Sequence, residues 1–139
     1  SLFLLPNKLQ LIMDRELAAF DLTAKQWFLS ALIDEFFTEP PTISEVAKVM
    51  GSTHQNVKQI ALKLEQNGFL TIEKDPQDKR ANRLRFTAKS REFWADRQEQ
   101  AVGFLTTLFS DLSVDELDIL CKGLHKLYDR ILKIESEQK

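Results

Sequence analysis

The strongest constraint on this chain is a change of hydrophobic period at Gly68. Upstream, apolar residues recur at helical spacing. Val46, Ala47, Val49 and Met50 follow Thr42, and Val57, Ile60, Ala61 and Leu64 follow a Gly51-Ser52 turn. Downstream, "FLTIEK" sets Leu70 and Ile72 against Thr71 and Glu73, and "RLRF" sets Leu84 and Phe86 against Arg83 and Arg85. That alternation belongs to half-buried strands. Joined through "DPQD", the two runs predict an antiparallel hairpin.

Helix starts are marked as locally as the strands. A capping box pairs Ser or Thr with Glu or Gln three residues on, so that side chains satisfy amides left orphaned at a helix start. The pattern occurs at Thr23 ("TAKQ"), Thr42 ("TISE"), Ser52 ("STHQ") and Ser113 ("SVDE"). Trp27, Leu29, Leu32, Ile33 and Phe36 follow the first of these, until "EPP" ends the helix. Gly51 and Gly68 are placed to close the next two, Gly68 as a left-handed cap. A long helix is predicted over about 88–110, through Phe93, Trp94, Ala101, Phe104, Leu105 and Leu108. After Ser113, Leu117, Leu120, Leu124, Leu127, Ile131 and Ile134 recur at alternating spacings of three and four, a coiled-coil-like seam.

Order then decides the fold class: mainly α with a small antiparallel β-hairpin. A short capped helix, a tight turn, a second helix and a basic hairpin make a winged helix-turn-helix, with its core over about 23–88. The second helix, predicted over 53–67, turns Val57, Ile60 and Leu64 to one side. The other side carries Thr53, His54, Gln55, Asn56, Lys58, Gln59 and Lys63, with Ser52 at its entrance and Glu65 as its only acid. Amides and hydroxyls can read base edges in a major groove while lysines hold phosphates. An ordinary amphipathic helix with a solvated polar face is the alternative.

Charge favours the first reading. The formal net charge is −2, yet residues 53–91 hold nine basic and four acidic side chains, a local +5 against −7 for the remainder. Such asymmetry suits one face to a polyanion. At 139 residues and 43% apolar content, a single domain with a real core is expected. No apolar run approaches the ~20 residues of a membrane span, and "SLFLLP" lacks the basic flank of a secretory leader. One cysteine, Cys121, excludes an internal disulfide and fits a cytoplasmic location.

The stretches "LTAKQWFLSAL", "TISEVAKVMGSTHQNVKQIALKLEQNGFL" and "DPQDKRANRLRFT" resemble the MarR (multiple antibiotic resistance regulator) family. Leu64, Glu65 and Gly68 end the recognition helix, and Asp78, Lys79 and Arg80 follow as the family's D-x-R wing motif. Ile72 and Ser90 depart from it, where the family often has Arg and Gly. The resemblance implies dimeric, ligand-responsive transcription factors, most often repressors, on palindromic operators. It gives Arg80 the wing-tip role in the minor groove and makes Asp78 the carboxylate that orients it. Lys79, Arg83 and Arg85 complete the basic wing over 74–86. About ten phosphate contacts per dimer would give a log–log salt slope near −9.

The chain's ends read as dimerisation helices, about 2–20 and 113–135, with Leu5, Leu9, Ile12, Leu117, Leu120, Leu124, Leu127 and Ile131 at the interface. Packing of the first helix on the last within one chain is the alternative. No zinc-ligand spacing occurs among two His and one Cys, and neither a metal nor a cofactor is expected. Cys121 is expected to be a packed structural thiol. Phe20, Trp27, Phe28, Phe36, Phe37 and Trp94 are core candidates that could also line a crevice for a small aromatic or amphipathic effector. No phosphate loop or activated nucleophile suggests an enzyme. The leading expectation is a homodimeric, ligand-responsive repressor of double-stranded palindromic DNA. A family activator and a winged-helix protein-interaction module are the alternatives.

Overall fold

The computed structural model describes residues 1–138. The chain forms two compact units, Ser1–Trp94 and Ala95–Lys139. In the first, α1 (Leu4–Leu17) runs into a 3-10 turn (Ala18–Phe20) that closes on Asp21, a left-handed residue at φ 58°. Then come α2 (Ala24–Phe36), α3 (Ile43–Met50), α4 (His54–Gln66), β1 (Leu70–Lys74) and β2 (Asn82–Phe86). Helix α5 (Ala88–Asp96) crosses the boundary, and α6 (Gln98–Leu108) and α7 (Val114–Glu137) belong to the second unit. Mainly helical with one two-stranded antiparallel sheet, this is the fold class the sequence predicts.

Three of the four capping boxes form as written. Thr23 with Gln26, Thr42 with Glu45 and Ser113 with Glu116 each exchange side-chain and backbone hydrogen bonds. The box at Ser52 does not form. Gly51 turns left-handed at φ 68°, and the Schellman-like bond from the Ser52 N–H to the Ala47 carbonyl holds Ser52 in the turn. Thr53 caps α4 instead, accepting from the Asn56 N–H at 3.1 Å. The helix expected over 88–110 is also corrected. It breaks at Arg97, whose ψ of 11° departs from the helical value of about −42°. Neither Pro nor Gly marks the break, so local composition gave no signal of it.

The core of the first unit lies where α2, α3, α4 and the hairpin meet. Leu29, Ile43, Val46, Val57, Leu64, Leu70 and Leu84 are essentially inaccessible there. Fully burying each such aliphatic side chain stabilises by about 1.5–3 kcal/mol. Ile72 and Phe86 pack at the margin of this cluster, so the hairpin's apolar side is its attachment. A hairpin alone is marginal in water, and here it gains a third, short pairing. The Leu84 N–H donates to the Pro41 carbonyl at 2.8 Å, and Thr42 bridges Arg83 antiparallel. The wing strand is thereby joined to the chain entering α3.

The second unit contains no buried residue among those described. Leu105, Leu108, Leu120, Leu124, Leu127 and Ile131 are each about 39–51% exposed. In the first unit, α1 also buries nothing, and Leu5 and Ile12 are exposed. Among the described residues no helix is long and apolar enough to cross a membrane.

Candidate nucleic-acid interface

Two surfaces of the first unit face solvent with the residues the sequence singles out. On α4, Val57, Ala61 and Leu64 are buried, while Thr53, His54, Gln55, Asn56, Lys58, Gln59 and Lys63 are exposed. Ser52 is half-buried, its hydroxyl 3.5 Å from Asn56 Nδ2. The helix's single acid is held in place: Glu65 Oε2 accepts from the Ile72 N–H at 2.9 Å, pinning the end of α4 to β1. Thus Ile72 stands in the sheet margin with its amide on Glu65, and its side chain packs against the core. The other departure, Ser90, is buried and donates its N–H to Thr87 Oγ1, which caps the start of α5.

The second surface is the hairpin. Its register pairs Leu70 with Phe86, Ile72 with Leu84 and Glu73 with Arg83. Thr71, Glu73, Arg83 and Arg85 therefore share one face. Charges on that face pair diagonally, Arg85 Nε to Glu73 Oε2 at 3.2 Å and Arg83 Nε to Asp75 Oδ2 at 2.5 Å. At the tip, Arg80 is 93% exposed, and its Nε and backbone N–H both meet Asp78 Oδ1, at 3.3 and 3.1 Å. Lys79 beside it is exposed. The Asp78–Arg80 pair is fully solvated at one end, so it constrains more than it stabilises; such pairs contribute about 0–1 kcal/mol.

Arg83 occupies a different position from the other basic residues. Its Nη1 donates to the Pro40 carbonyl at 2.6 Å and lies 3.9 Å from Glu45, while Nε is taken by Asp75. Nε and Nη1 of Arg83 thus have partners within the protein. Asp75, which sequence reasoning treated only as a charge, is 7% exposed. It accepts from the N–H groups of Gln77 (2.7 Å) and Asp78 (3.2 Å) as well as from Arg83. The Gln77 N–H first, then the Arg83 guanidinium, hold its carboxyl below the ordinary value of 3.8 despite the opposing effect of burial. The signal for it was "DP", since Asp before Pro favours a turn in which the carboxylate bonds the backbone two residues on.

The remaining site residues fall elsewhere. Cys121 is exposed in the single chain, contrary to the packed thiol expected, because α7 covers none of its own apolar stripe. Its Sγ lies 3.5 Å from His125 Nδ1, a neighbour that the i,i+4 spacing makes adjacent on a helix. Among the described residues no group of three or more His, Cys, Asp or Glu could hold a metal ion. Of the aromatic candidates, Phe37 and Trp94 pack against the core, whereas Trp27, Phe28 and Phe36 are exposed. Phe20 instead joins Asp21, Gln66, Asn67, Phe69, Lys89 and Phe93 around an open crevice of about 420 Å³ at the end of α4.

Comparison with known proteins agrees with this architecture. Residues 22–81, the winged-helix segment, match the model of the MarR family. The chain is 31% identical over 94 residues to the transcriptional repressor MprA of Escherichia coli (strain K12), covering 68% of this chain and 53% of that protein. It is 32% identical over 97 residues to the uncharacterized HTH-type transcriptional regulator YkoM of Bacillus subtilis (strain 168), covering 69% and 63%. It thus spans between half and two thirds of the length of these relatives. The crystal structure of the S. aureus MepR–DNA complex superposes with a TM-score of 0.81 at 20% identity, over 94% of each chain, a likeness of fold. With the matched segment being the one that carries the capped helices and the wing, the chain belongs to the MarR family.

Proposed function

We propose that this protein is a homodimeric, sequence-specific DNA-binding transcriptional regulator that acts as a ligand-responsive repressor on a palindromic operator. The observation that carries the reading is the exposed face of α4. It presents amide, hydroxyl, imidazole and ammonium groups over its first three turns, and its one acid is tied back to β1. Placed in a major groove, Thr53, His54, Gln55, Asn56 and Gln59 meet base edges, and Lys58 and Lys63 meet phosphate. The wing carries Arg80 into the adjacent minor groove, where negative potential is concentrated. Similarity to a MarR-fold protein crystallised on DNA supports this use of the surface.

Dimerisation rests on the apolar stripes of α1 and α7, which bury nothing in the single chain. Two-fold pairing would cover them and set two copies of α4 about one helical turn apart. Effector response rests on the crevice beside α4. Its volume lies within the range of about 300–1,000 Å³ usual for small-molecule sites. Lys89 Nζ donates to the Asn67 carbonyl at 2.6 Å and stands 5.0 Å from the Phe69 ring centre. An aromatic anion seated there would compete for Lys89, and so for a contact at the C-terminal end of the recognition helix.

The test is fluorescence anisotropy with a duplex that the protein selects from a random-sequence pool, at several salt concentrations, beside a scrambled duplex. Selective, salt-steep binding is expected, and Arg80→Ala should weaken it and relax preference at the minor-groove positions. Binding no better than to the scrambled duplex would instead favour a protein partner for α4.

A further inference from the structure

An acid sits at the root of a surface built for a polyanion. Asp75 is nearly inaccessible and has both oxygens committed, Oδ1 to the N–H groups of Gln77 and Asp78 and Oδ2 to Arg83 Nε. Through Nη1, Arg83 continues the connection to the Pro40 carbonyl, 43 residues back in sequence. The loop between is closed by the Asp75 N–H on the Ala81 carbonyl and the Ala81 N–H on the Asp78 carbonyl, both at 3.0 Å. Arg80 stands in that loop. The chain reached through Pro40 leads directly into Thr42, the cap of α3. One carboxylate therefore shapes the turn that carries Arg80 and, through Arg83, fixes the wing against the helix-turn-helix.

We propose that Asp75, acting through Arg83, is a positioning residue for DNA binding, an acidic side chain whose presence raises affinity for a polyanion. The inference rests on the proposed DNA-binding function. It also reassigns Arg83 from phosphate contact to wing support. A wing held in its bound pose spares the ordering cost that a loose hairpin would meet on binding.

Charge and position predict opposite signs. Removing a negative charge from a DNA-facing segment should by charge alone tighten binding. Asp75→Asn keeps a carbonyl for the turn but offers Arg83 an amide where it needs an acceptor. It is expected to weaken binding to the selected duplex about tenfold, the equivalent of one charge-assisted hydrogen bond. Unchanged or tighter binding would overturn the proposal. A general loss of stability is separated by repeating Asp75→Asn in the Arg80→Ala background. There the penalty should shrink to twofold or less, because the misplaced contact is already absent. An undiminished penalty would overturn the positioning role. Should Asp75→Asn fail to fold, Arg83→Lys gives the same decision. It keeps the charge a phosphate would see but cannot span Asp75 and Pro40 together, so several-fold weakening is expected and wild-type affinity would overturn the proposal. Arg80→Ala alone tells the two readings apart. If it binds as wild type, the wing reading itself fails; if it weakens while Asp75→Asn does not, only the positioning role fails.

Discussion

Replacing Leu124 with alanine tests whether the bare face of α7 is an interface. Leu124 lies in the middle of the stripe formed by Leu117, Leu120, Leu127 and Ile131, and it is 50% exposed in the single chain. Fully burying a leucine stabilises by about 2 kcal/mol, so covering the remaining half contributes about 1 kcal/mol. A two-fold interface uses each position twice, giving about 2 kcal/mol per dimer, or about a thirtyfold rise in the dissociation constant. The substitution should leave α7 itself intact, since alanine is the best helix former and no residue of that helix is buried. Sedimentation velocity over a dilution series reads the constant directly. Ile119→Ala is the control. Ile119 is 70% exposed, and five residues from Leu124 place it about 140° around the helix. It should leave dimerisation unchanged. Equal effects at the two positions, or none at Leu124, would refute the assignment of this face.

Three other outcomes follow from the same geometry. Thr53→Ala removes the side-chain acceptor for the Asn56 N–H and should cost about 1 kcal/mol in urea unfolding, whereas Ser52→Ala should cost much less. Asp75 has a folded pKa below its ordinary 3.8, so its stabilising contribution is complete above that value and is lost as pH falls through the lower folded value. Asp75→Asn should accordingly flatten the acid limb of the stability–pH curve, and the two proteins should converge in strong acid. The salt slope counts the cations that neutralise phosphate. Lys58, Lys63, Lys79 and Arg80 from two subunits give about −7, whereas adding Arg83 and Arg85 would give about −11.

Much of the fold was legible because its signals are local. Thr42 and Glu45 complete each other's hydrogen bonds within one turn, and Gly51 and Gly68 take the left-handed conformation their positions require. The period change at Gly68 gave both strands and their buried faces. What escaped depends on tertiary or conformational competition. Ser52 is by type the better cap of the two, and Thr53 serves instead because the turn at Gly51 took the Ser52 N–H. The break at Arg97 has no breaker residue beside it. The partners of Arg83 are eight and 43 residues away, and no spacing rule connects Arg83 to Pro40.

The wing shows why a charge count and a charge arrangement answer different questions. Counting predicts a basic hairpin, and the sum is right whatever the pairing. Register decides which charges remain available: with Glu73 opposite Arg83, the arginines reach diagonally to Glu73 and Asp75, forming a ladder along one face. Among the described residues Lys79 joins no ion pair, and Arg80 meets only the carboxylate that orients it. The ladder stiffens the hairpin and carries Lys79 and Arg80 at its end, so much of the wing's charge supports the few groups that can enter a groove. A net-acidic protein can therefore maintain a face suited to a polyanion: the wing's acids serve as anchors, and repulsion from Glu73, Asp75 and Asp78 is reduced because an arginine pairs with each. On this reasoning removing the buried carboxylate of Asp75 weakens the surface it formally makes more positive.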